Sequence, residues 1–135
     1  MDRPEWNAVN PANGEIYFTL TNNSNRSVNP TGSQYLPDAA NPRAYTDMKG
    51  TSAQTGNPNG HLVRMKEGAS VSAFTWDVYL FGAEAGADKA LVNISSLTAD
   101  QDFSSPDGLA FSKATGICWI QTDDGAYTDV TNCMM

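Results

Sequence analysis

The sequence predicts an all-β chain, a fragment of a β-propeller about one and a half blades long, and three observations lead to it. Turn-forming residues punctuate the whole length: 11 glycines and 7 prolines stand among many Asn, Ser, Thr and Asp residues, which favour turns through freedom of φ, restriction of φ or side-chain hydrogen bonding. The apolar stretches are short, and none carries a helix-length amphipathic period. The third observation is a repeat. Residues 3–9 and 13–19 are matched without a gap by residues 105–111 and 115–121, at a constant offset of 102. Pro4 then corresponds to Pro106, Glu5 to Asp107, Ala8 to Ala110, Gly14 to Gly116 and Tyr17 to Trp119. So many coincidences in one register mark a repeated structural unit.

Taken in chain order, Ala8-Val9 is a short apolar strand, Asn10 to Gly14 a turn, and residues 16–20 a second strand ending in Thr19-Leu20. Asn22 to Tyr45 is polar and reads as a long surface connection, which Thr46 to Gly60 continues. Residues 61–66 alternate as a strand, Glu67 to Ser70 form a hairpin connection, and residues 73–81 make a long aromatic strand closed by Gly82. Ala83 to Ser104 is mixed, with room for one helical turn at Glu84 to Ala90. The repeat then restarts, predicting strands at 109–111 and 117–121.

The repeated unit is a Pro-acid pair, a short strand, a glycine turn and a second strand with an aromatic, as in the inner two strands of a propeller blade. Residues 61–66 and 73–81 supply the outer two. The first blade is thus expected across 8–81 and the start of the next from 105 to 135, all within one partial domain. A repeat of this length exceeds the roughly 40 to 50 residues usual for a blade, and the two long connections account for the excess. Neighbouring blades cover both faces of each blade, so some of Trp76, Tyr79, Phe81 and Trp119 are expected to lie exposed.

Charge and composition exclude some functions. A net charge of −7 argues against nucleic acid, whose phosphates call for a basic face. No apolar run approaches the roughly 18 residues of a transmembrane helix. Met1-Asp2-Arg3-Pro4-Glu5 is no secretory leader, so compartment is not legible there. Cys118 and Cys133 are expected as unpaired thiols rather than a disulfide framework. There is no Walker loop, H-E-x-x-H, G-x-S-x-G or C-x-x-C.

The chemistry-bearing candidates follow from the repeat. Inner strands of a propeller begin around its central channel, so Glu5 and Asp107 converge on one axis. Two carboxylates so placed repel unless a cation lies between them, which points to a metal site; the alternative is that each caps a turn or bonds a neighbouring strand. Arg3 and Arg43 are candidates for holding an anionic substrate, or plain surface arginines. His61, the single histidine, reads as structural. Asp123-Asp124-Gly125 suits a calcium loop or a solvated turn equally. Asp100, Asp102 and Ser104 imitate an EF-hand opening, but Ser105 and Phe111 stand where its glycine and glutamate belong.

Asp2-Arg3-Pro4-Glu5-Trp6, Gly14-Glu15-Ile16-Tyr17 and Leu20-Thr21-Asn22-Asn23 closely resemble an inner segment of the PhoX family of bacterial alkaline phosphatases. Asn41-Pro42-Arg43, Gly60-His61-Leu62-Val63-Arg64, Trp76-Asp77 and Ser105-Pro106-Asp107-Gly108-Leu109-Ala110-Phe111 follow in that family's order. The likeness is loosest from Tyr45 to Asn59. It implies a six-bladed propeller, exported to the periplasm by the twin-arginine route, that hydrolyses phosphate monoesters with an iron–calcium cluster in its channel. Glu5 then matches an iron ligand and Asp107 a calcium ligand. The family's iron-bound cysteine belongs upstream, so neither Cys118 nor Cys133 takes that role. The remaining blades of the same protein become the required partners, and the segment alone is expected to be inactive. A non-enzymatic propeller module, binding or scaffolding, is the competing expectation.

Overall fold

The computed structural model describes residues 2–49, 51–89, 97–98 and 102–123. Its eight strands are β1 (Pro4–Val9), β2 (Ile16–Leu20), β3 (Tyr45–Lys49), β4 (Ser52–Gly56), β5 (His61–Glu67), β6 (Phe74–Phe81), β7 (Pro106–Phe111) and β8 (Cys118–Thr122). A four-stranded antiparallel sheet runs in the order β1-β2-β5-β6, and β7-β8 begins a second sheet. This is one complete blade and half of the next. No described residue is helical, and the expected helical turn after Glu84 is a turn closed by the Ala87 amide on the Glu84 carbonyl at 3.1 Å.

The repeat is reproduced bond by bond. Pro4, Asn7, Ala8 and Val9 pair with Leu20, Phe18, Tyr17 and Ile16. Pro106, Leu109, Ala110 and Phe111 pair with Thr122, Ile120, Trp119 and Cys118, the same register displaced by one repeat. Each strand pair is interrupted at the same place, between Pro4 and Asn7 and between Pro106 and Leu109. The turns correspond as well. Gly14 and Gly116 donate to the carbonyls of Asn10 and Ser112 at 2.9 and 2.8 Å, with φ of 74° and 72°. An L side chain rarely adopts that backbone, which is why both repeats place glycine there.

Cross-strand partners share a face of the sheet. One face of the blade carries Ala8, Tyr17, Leu62 and Leu80, and it packs against Leu109, Phe111 and Ile120 of the next sheet. Tyr17 meets Phe111 edge-on at 5.1 Å and Tyr79 at 5.0 Å. The other face carries two apolar rows, Val9-Ile16-Met65-Trp76 and Phe18-Val63-Val78. No described element packs there, and Val9 and Trp76 stay 55% and 42% exposed. Tyr79 and Trp119 are exposed as expected, whereas Phe81 is half-buried, tilted against the His61 ring at 6.2 Å.

Two expectations need correction. Strands β1 and β7 start at Pro4 and Pro106 rather than at 8 and 109, because pairing resumes beyond an irregularity in each strand and takes in the Pro-acid pair ahead of the apolar residues. The segment from 22 to 60 is not a plain surface connection. It contains the β3–β4 hairpin and buries Asn22, Asn41, Asn57 and Asn59. These polar side chains go inside because they are hydrogen-bonded there. Asn41 Oδ1 accepts the Asp2 amide at 3.0 Å, while Asn23 Nδ2 and Arg26 Nε donate to Asp2 Oδ1 at 2.7 and 3.2 Å. The buried Asp2 carboxylate thus pins the chain just before β1.

Candidate metal centre

The residue that opens each inner strand pair has an unusual backbone. Arg3 and Ser105 are the non-glycine residues with positive φ among those described, 41° and 52°. That conformation costs energy in an L residue and persists only where surrounding bonds fix it. Here the Arg3 carbonyl accepts the Thr21 amide at 3.1 Å and the Ser105 carbonyl accepts the Asp123 amide at 2.9 Å. The chain then passes through a proline into the strand irregularity, and the next side chain is Glu5 in one repeat and Asp107 in the other. β-Bulges at such places re-aim side chains.

Glu5 and Asp107 come into one electrostatic neighbourhood. Burial raises the Asp107 carboxyl above its ordinary range, Glu5 and Asp123 push it further up, and Arg3 pulls it down. Arg3 is held by its own surroundings: Nη1 donates to Asn22 Oδ1 at 3.0 Å and Nη2 pairs with Glu5 Oε1 at 3.3 Å. Half of the Arg3 side chain remains exposed. The backbones of the two sites are also joined, since Thr19 Oγ1 donates to the Asp107 carbonyl at 2.7 Å and Thr21 Oγ1 to that of Pro106 at 2.9 Å.

Arg43 belongs to a different surround. Its Nη1 donates to the Gly82 carbonyl at 2.6 Å, and its guanidinium lies 4.1 Å from the Tyr45 ring centre and 5.3 Å from that of Phe81. It lines a cleft of about 660 Å³ with Asp47, Glu84 and Asp88, and carboxylates in the lining of that cleft oppose anion capture. Burial lowers its pKa. His61 is structural: it is fully buried, accepting from Asn57 Nδ2 at Nδ1 and donating from Nε2 to the Ala40 carbonyl, both at 2.9 Å. Cys118 is a free thiol, half-buried. Asp123 joins the neighbourhood of Asp107, while Asp100, Asp124, Gly125 and Cys133 lie outside the described residues.

Among the described residues no three His, Cys, Asp or Glu side chains are grouped closely enough to hold an ion by themselves. The donor chemistry nevertheless suits a hard cation, because carboxylate oxygens that repel one another are what calcium and related ions bind. Glu5 and Asp107 thus fit as part of a ligand set. Sequence reasoning singled out both as candidates, along with Arg3. It missed Asn22, Thr19 and Thr21, which stand one repeat before residues of other types, Asp124, Gln121 and Asp123.

Known proteins resemble this chain along its length. A family model described as Alkaline phosphatase PhoX matches residues 1–134. The solved structure of Pseudomonas fluorescens PhoX, described as a complex with vanadate, a transition state analogue, aligns with all of this chain at 33% identity and a TM-score of 0.64. The chain spans 22% of that protein's length. Among curated proteins there is no match. The repeated strand pairs, the propeller sheet order and these similarities have one common meaning: the chain belongs to the PhoX family of alkaline phosphatases.

Proposed function

We propose that this chain is one segment of a metal-dependent phosphomonoesterase, contributing Glu5 and Asp107 to a channel-bound iron–calcium cluster. The observation that carries the reading is the placement of the two carboxylates at equivalent, irregular strand starts, on backbones that the Thr19 hydroxyl joins. A cluster bound there supplies Lewis-acid polarisation of a phosphoryl oxygen and the positive charge that lets such carboxylates stay ionised together.

This chain's own residues do the rest of the local work. Glu5 and Asp107 offer oxygen donors from opposite sides of the blade junction. Arg3 is braced by Asn22 and Glu5 and half exposed, so its remaining N–H groups are available to phosphoryl oxygens, which a guanidinium meets bidentately. The relative from Pseudomonas fluorescens takes vanadate, and a phosphate monoester is the corresponding substrate here. Arg43 is a weaker substrate ligand on its surroundings. The rest of the propeller supplies further ligands and neighbouring blades, residues 1–135 form a partial domain, and the family points to the periplasm or secretion. Among the described residues no helix is long and apolar enough to cross a membrane.

The test is hydrolysis of a generic phosphate monoester by the full-length protein, with metal analysis beside it. Turnover that disappears on chelation and returns with iron and calcium supports the reading. A full-length protein that binds neither metal and hydrolyses nothing is a binding or scaffolding propeller instead.

A further inference from the structure

The two proposed ligands sit on different sheets, and something has to hold those sheets in register. Leucine packing is too forgiving for the task, since apolar contacts are non-directional and tolerate sliding. Hydrogen bonds to fixed backbone atoms are directional, and the junction between β2 and β7 has two of them from one short stretch.

Thr19, near the end of β2, and Thr21, just past it, flank Leu20 in extended chain, so both side chains leave the same face. Both are fully buried. Their hydroxyls donate to consecutive carbonyls of β7, Thr21 to Pro106 at 2.9 Å and Thr19 to Asp107 at 2.7 Å. Thr19 also reaches the other way. Its Oγ1 accepts the Trp6 amide at 2.9 Å and lies 3.3 Å from the Trp6 carbonyl. A hydroxyl has one hydrogen to give, and the shorter contact, to Asp107, takes it. One oxygen atom therefore touches the backbone next to Glu5 and the backbone of Asp107 itself.

We propose that Thr19 and Thr21 are positioning residues of the metal centre, a two-hydroxyl clamp that sets where the Asp107 carboxylate stands relative to Glu5. Neither touches the cluster or the substrate; both act through the main chain. The clamp explains why threonines stand at the penultimate residue of β2 and just beyond its end, although their counterparts one repeat on are Gln121 and Asp123. This inference rests on the reading of Glu5 and Asp107 as metal ligands.

The experiment uses the full-length protein with Thr19→Val, which keeps the shape and removes the hydroxyl, and Thr19→Ser, which keeps the hydroxyl. Calcium affinity is measured by titration and iron by elemental analysis, with circular dichroism to establish folding. Groups that orient metal ligands affect metal affinity by roughly 10- to 100-fold when removed. The expected result is at least a tenfold loss of calcium affinity in Thr19→Val with retention in Thr19→Ser. Should Thr19→Val not fold, Thr21→Val, which removes only the bond to Pro106, carries the same test. Unchanged metal binding in a folded valine variant overturns the clamp, as does equal loss in Thr19→Ser. Glu5→Ala, run in parallel, separates the two levels: metal lost there but kept in Thr19→Val refutes the clamp alone, and metal kept in both refutes the ligand assignment as well.

Discussion

Arg3 and Ser105 stand one repeat apart and share a left-handed backbone, with φ of 41° and 52°. Each precedes a proline and an acidic residue, and each has its carbonyl tied to an amide of the neighbouring strand end. Two sequences that differ at this position have kept one conformation, so the conformation is a requirement of the strand start and not a property of either side chain.

Substitutions at Ser105 should therefore sort by tolerance of positive φ rather than by polarity. Ser105→Gly is expected to hold stability within about 1 kcal/mol of the parent, since relief of backbone strain offsets the greater chain entropy of glycine. Ser105→Val should cost about 2 kcal/mol, because a β-branched residue suits neither the backbone nor the fully buried site. Urea midpoints of the full-length protein decide it; equal midpoints for Gly and Val would show the strain to be irrelevant.

The uncovered rows Val9-Ile16-Met65-Trp76 and Phe18-Val63-Val78 predict how residues 1–135 behave when expressed alone. A continuous apolar sheet face associates or binds hydrophobic dyes. Size-exclusion chromatography and dye fluorescence should show oligomers or a loosely packed chain. A monomer with a sharp, cooperative melt and no dye binding is the opposite outcome.

His61 predicts a pH dependence. Burial lowers its pKa below 6.5, against smaller opposing effects of the Ala40 carbonyl and the Asp2 and Asp38 carboxylates, and Arg43 lowers it too. The unfolded chain therefore takes up a proton at His61 before the folded one does. Its contribution is intact above about pH 6.5, and stability declines as the pH falls below that value toward the lower folded pKa. Thermal melts from pH 7.5 to 5.5 should show a decline that His61→Gln flattens. An identical slope in the variant would assign the decline to other groups.

Much of this was legible because the informative residues have geometric duties. Pro4, Ala8, Gly14 and Tyr17 each meet a constraint that recurs one repeat later, so the first blade and the start of the second could be placed from sequence, and Glu5 and Asp107 with them. The β3–β4 hairpin escaped because Tyr45 to Gly56 has no apolar alternation and its strands pair only with each other. Burial of Asn22, Asn41, Asn57 and Asn59 escaped for a related reason. Composition reads asparagine as surface, whereas pairing with backbone and with the side chains of Arg3, Asp38, Tyr45, Asp47 and His61 allows it inside. Thr19 left no signal, since its role lies in a bond to a carbonyl 88 residues away.

Metal analysis of Glu5→Ala and Asp107→Ala in the full-length protein, beside hydrolysis of a generic phosphate monoester, bears most directly on the metal centre. Removing one ligand leaves an ion undercoordinated and the remaining carboxylates repelling one another. Glu5→Ala is expected to lose most activity together with bound iron. Asp107→Ala should lose activity chiefly through calcium and regain part of it when calcium is in excess. Full activity with full iron content in Glu5→Ala would contradict the assignment of this site.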